Sequence, residues 1–119
     1  MPLSYSRIPL SGSTDGKTIP VVATGTPGTT IHTALSGTSG FDDIYLWAAN
    51  VTNVSSTLTI EWGGTSDPND HMVHSVTIPA NSPLIPISQG AMLRNSVVVR
   101  AFSMTGSSIN IIGYVNRAS

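Results

Sequence analysis

The sequence predicts an all-β fold: a single-domain antiparallel β-sandwich or jelly roll of seven to eight strands. Three observations carry that prediction. Apolar residues recur with a period of two, short β-branched runs alternate with turn signals every ~10–15 residues, and no stretch has convincing helical periodicity.

Taken in order, residues 1–18 are rich in Pro, Ser and Gly and read as an extended N-terminal arm that orders against a partner. Residues 19–119 then form the β-sandwich domain. The arm ends in "SGSTDGKT", which approaches the phosphate loop G-x-x-x-x-G-K-[ST] but has Ser11 where that loop needs Gly. A phosphate loop works by feeding a strand into a helix whose N-terminal amides hold the phosphates. Here "TIPVVATGTPG" follows, and Pro20 with its β-branched neighbours specifies extended chain. Asp15-Gly16 is therefore read as a tight turn, with Gly16 at positive φ.

Apolar, β-branched runs at 19–24, 29–34, 42–51, 96–103 and 108–116 read as strands. In the run ending at Trp62, Leu58, Ile60 and Trp62 alternate with Thr57, Thr59 and Glu61, so the first set faces a core and Glu61 faces water. "MVHSVTIP" alternates likewise, with Met72, His74, Val76 and Ile78 on one face and Val73, Ser75 and Thr77 on the other. Turn signals separate the runs: "TPG", "SGTSG", "GGTSDPND", "PANSP" and "TGSS". "SQGAMLRNS" at 88–96 has room for one helical turn at most.

Composition narrows the function classes. Only 9% of residues are charged against 39% hydrophobic, where about 25% charged is usual. A neutral polar surface suits packing against other proteins better than long-range steering. Net charge is -1 and the five cations are scattered, so no basic stripe exists for nucleic acid. No apolar run approaches the ~20 residues of a membrane span, and the first residues lack the pattern of a signal peptide. With no cysteine, disulfides and thiol chemistry are excluded.

Chemistry has little to stand on. Asp67, Asp70, His71 and His74 form the one cluster with metal-ligand character, but on a regular strand residues three apart point to opposite faces. The cluster is read as a polar hairpin loop with His74 packed beneath it, and no metal or cofactor is expected. No G-x-S-x-G elbow accompanies His32, His71 or His74. Asp42 and Asp43 are adjacent and diverge on a strand. The chain is read as a non-enzyme.

The informative oddity is "DDIYLWAANV". Ile44, Leu46 and Ala48 form one face and Tyr45, Trp47 and Ala49 the other, so both are apolar. A strand in a two-layer fold needs only one apolar face. Either the N-terminal arm overlays the second, or it is a subunit contact, for which Tyr and Trp are favoured anchors. "SVVVRAF" behaves similarly. The candidate interface is Tyr45, Trp47, Ala49, Val98 and Phe102.

From Lys17 to Asn116, notably "TIPVVATGTPGTTIHTA", "IYLWAANVTNVSSTLTIEWGGT" and "VVVRAFSMTGSSINIIGYVNR", the chain resembles small virion structural proteins of tailed bacteriophages. The resemblance implies a capsid decoration or cement protein that binds the major capsid protein. It also implies self-association as a dimer or trimer and a place on the virion surface after assembly in the host cytoplasm. A tail, neck or fibre component is the alternative within that class. A carbohydrate-binding β-sandwich is the alternative outside it.

Overall fold

The computed structural model describes residues 3–119. Among them there is no helix, and nine strands make two antiparallel sheets. They are β1 (Tyr5–Pro9), β2 (Ile19–Pro20), β3 (Thr29–Thr33), β4 (Phe41–Asn50), β5 (Ser56–Trp62), β6 (His71–Ile78), β7 (Ile85–Leu93), β8 (Val98–Ser103) and β9 (Ile109–Ala118). One sheet runs β1-β9-β4-β7 with β2 also on β9; the other runs β3-β8-β5-β6.

The pairings are nested. β5 pairs with β6, β4 with β7, β3 with β8 and β2 with β9. A long hairpin closed at the β5–β6 loop has this pattern. Two further ladders, β4–β9 and β5–β8, join its arms side by side.

Alternation in the central strands builds the core. Along β4 the even positions are buried and the odd ones half-buried, so Ile44, Leu46 and Ala48 point inward. There they meet Ile109, Ile111 and Val115 of β9, and Leu58, Ile60, Val99 and Ala101 of the other sheet, in one apolar cluster. Each such fully buried aliphatic side chain larger than alanine contributes about 1.5–3 kcal/mol. Trp62 packs against the cluster while keeping partial exposure.

Gly113 sits at a close approach of β4 and β9. A Cβ there would overlap the Tyr45 carbonyl of the neighbouring strand, so only glycine lets the ladder close.

Several expectations change. Residues 5–9 of the expected arm are a sheet strand, paired from Tyr5↔Ala118 to Pro9↔Tyr114, and Leu10 is buried in the core. The arm's first two residues lie outside the described residues. This strand brings the count to nine, above the expected seven to eight. Most of "SQGAMLRNS" belongs to β7, because pairing with β4 along Asp42–Ala48 dictates extended backbone. The run at 19–24 keeps only two residues in a ladder. The Asp15-Gly16 turn is as expected: Gly16 has φ 88°, and Lys17 N–H donates to the Thr14 carbonyl at 3.0 Å.

Candidate functional site

On its outer face, the five-stranded sheet collects aromatic side chains. The β4–β9 register sets Tyr45 opposite Tyr114 and Trp47 opposite Ile112. Tyr45 and Tyr114 stack with ring centroids 5.0 Å apart, and Trp47 lies tilted 6.1 Å from Tyr114. Across β1, the Arg7 guanidinium sits 4.5 Å over the Tyr114 ring, a cation–π contact. Trp47, Leu84, Ile112 and Tyr114 line a shallow depression of about 390 Å³ that continues to Gly16.

The expected interface residues are not brought together. Tyr45, Trp47 and Ala49 share this outer face. Val98 and Phe102 alternate with buried Val99 and Ala101 on β8, so they face outward from the four-stranded sheet, on the opposite side. Tyr114, Ile112 and Arg7 are members that sequence reasoning missed. Period two in "INIIGYVNR" puts Ile112 and Tyr114 on one face, but only the β4–β9 register places them beside Trp47 and Tyr45.

At one end of the core is a charged group that the sequence reading did not foresee. Asp42, fully buried, accepts from Arg117 Nε at 2.7 Å and Nη2 at 2.9 Å, from the Leu35 amide at 3.1 Å, and from His32 Nε2 at 2.7 Å. His32 Nδ1 accepts from the Ser11 amide at 3.0 Å, so the ring is neutral with its proton on Nε2. Burial lowers the His32 pKa; its hydrogen bond to Asp42 opposes that only in part. Burial pushes the Asp42 carboxyl up, but hydrogen bonds from Arg117 and His32 prevail and hold it below its ordinary value. The hydrogen bond to Asp42 raises the pKa of Arg117. The network ties β3, β4, β9 and the Ser11 loop together. Asp43, as expected, points the other way and is half-buried.

Glu61 is also buried, against the expectation that it faces water. The Thr26–Gly28 loop folds over this part of β5: the Gly28 amide donates to Oε1 at 2.7 Å and the Thr26 hydroxyl to Oε2. A carboxylate with two donors is tolerated where an unpaired one is not.

His71 and His74 lie on the same face, correcting the inference that a spacing of three separates them. On β5, Ile60 pairs with Val73 and the next residue, Glu61, with His71. One extra β6 residue is absorbed there, and Ser75 at φ 48° marks a second irregularity. The two rings therefore both follow the outward side of Glu61 and Thr59. His74 is exposed rather than packed beneath the loop, and His71 is the buried member, at 3% side-chain exposure. With Asp67 these are the side chains among the described residues whose donor atoms converge as metal ligands do.

No protein-family model, curated protein or solved structure matches the chain.

Proposed function

We propose that this chain is a structural protein of a phage virion: a capsid decoration or cement subunit that binds the major capsid protein lattice and stabilises the head. We read its architecture as a jelly-roll β-sandwich, an arrangement that recurs in viral capsid and lectin domains. The nested strand pairing and the core shared by both sheets support that reading.

The observation that carries the functional reading is the aromatic outer face of the five-stranded sheet. Tyr45, Trp47, Ile112 and Tyr114 sit side by side there, and β1 covers only part of the sheet edge. Such a surface gains by association, and Tyr and Trp are the side chains that anchor interfaces. A sparsely charged surface fits a subunit that meets copies of itself and a shell by shape. A second copy of the chain is the occupant of the aromatic face, in a closed dimer or trimer. The reading requires no cofactor, nucleic acid, membrane or catalytic step.

Light scattering of the purified chain tests the self-association, with dimers or trimers expected. Trp47→Ala combined with Tyr114→Ala returns monomers with an unchanged circular dichroism spectrum. Cryo-electron microscopy of intact particles then tests the position, with density over the capsid in hundreds of copies. A small ring of copies at the tail or neck supports that alternative instead. Glycan binding by the isolated chain, lost in Trp47→Ala, supports the carbohydrate-binding reading. A monomeric wild type absent from particles overturns the proposal.

A further inference from the structure

We infer that Asp67, His71 and His74 form a binding site for a divalent transition metal of the zinc class, on the outer face of the four-stranded sheet. His71 Nδ1 and His74 Nδ1 are 2.8 Å apart, and Asp67 Oδ1 lies 3.6 Å from the first and 3.7 Å from the second. The centre of that triangle is about 2.0 Å from all three atoms, which is the bond length zinc makes to imidazole nitrogen and carboxylate oxygen. A tetrahedral ion holds its ligand atoms about 3.3 Å apart at that bond length, so the two Nδ1 atoms, 2.8 Å apart as a hydrogen-bonded pair, part slightly when metal enters.

The surrounding structure holds the ligands in place. The β6 irregularity brings the two histidines to one face. The loop carrying Asp67 is stapled by Asp70, whose carboxylate accepts from the Ser66 amide at 3.0 Å and whose amide donates to the Ser66 carbonyl at 2.9 Å. The Asp70 carbonyl accepts from the Trp62 amide at 2.7 Å, fixing the loop to β5. Asp70 is thereby a positioning residue and not a ligand. Phe102 meets the His71 ring edge-on at 6.1 Å and limits its movement.

Ligand chemistry selects the ion. Two imidazoles and one carboxylate suit zinc, cobalt, nickel or copper, while calcium and magnesium want oxygen. Three protein ligands leave a fourth position on the side where His74 and Asp67 are exposed, and water completes it. Without metal, the two Nδ1 atoms share a hydrogen-bonded proton. Metal takes the place of that proton as both rings adopt the Nε2–H tautomer, which leaves an Nδ1 lone pair on each for the ion.

The test uses the untagged full chain, so that no added histidines compete. Calorimetric titration with zinc chloride gives one equivalent bound, and cobalt gives the intense visible absorption of a four-coordinate site. At zinc a hundredfold above Kd the thermal midpoint rises by about 10 °C. His74→Ala and Asp67→Asn change exposed side chains, leave the metal-free circular dichroism spectrum intact, and each weaken zinc binding at least tenfold. Absence of binding up to millimolar zinc overturns the inference. So does zinc affinity unchanged in both variants, or a calcium response equal to that with zinc.

Discussion

Replacing Asp42 with Asn tests whether the buried charged group holds the sheet together. The change is nearly isosteric but removes the negative charge from a site with four donated hydrogen bonds. If the amide oxygen takes the Oδ2 position, it keeps the bonds from His32, Leu35 and Arg117 Nη2. The amide nitrogen then faces Arg117 Nε, donor against donor. Breaking a buried ion pair costs about 3–5 kcal/mol. The Arg117 side chain is 26% exposed and partly rehydrates, so the low end, about 3 kcal/mol, applies. For a chain of this size that lowers the thermal midpoint by about 12 °C, measured by circular dichroism at pH 7.5. The sign with pH follows from the depressed Asp42 pKa. Its contribution is present above the unfolded value near 3.8 and disappears as pH falls through the lower folded value, so the gap between wild type and variant closes in acid. A variant melting within about 2 °C of wild type at pH 7.5 refutes the reasoning, since even one lost charged hydrogen bond shifts the midpoint further.

Two further outcomes follow from the same geometry. The His32 pKa is lowered from 6.5, so folding favours the neutral ring and stability declines as pH falls below that value; from pH 7.5 to 5.5 the loss reaches at most about 1.4 kcal/mol. Urea unfolding at the two pH values measures it, and His32→Gln is expected to flatten that part of the profile. Gly113→Ala puts a methyl group into the Tyr45 carbonyl; a loss of about 3 kcal/mol or more is expected from the strained ladder, and a soluble variant with the wild-type midpoint counts against the close approach.

Local chemistry made some features readable from the chain. Asp15-Gly16 turns because glycine accepts positive φ cheaply, and β4 alternates with period two, Ile44, Leu46 and Ala48 sharing the face that the core takes. The same strand displayed Tyr45 and Trp47 as surplus apolar surface. Other features had no local signal. His32, Asp42 and Arg117 meet across separations of 10 and 75 residues, and the Asp42-Asp43 pair at the start of an apolar strand does not announce the partners of either residue. Strict alternation misplaced Glu61, His71 and His74. A loop from elsewhere covers the first, and an irregularity in pairing rotates the other two onto one face.

By itself, then, the sequence determined that the chain extends into strands, where it turns, and which strand has two greasy sides. Those choices depend on backbone preferences and on neighbours within a few residues. Tertiary structure decided that residues 5–9 join the sheet, that the aromatic residues of β4 and β9 stack, that an acid is buried against arginine and histidine, and that Asp67 reaches both His71 and His74. Each of these depends on strand register, and register is fixed by the packing of the whole core rather than by any segment alone.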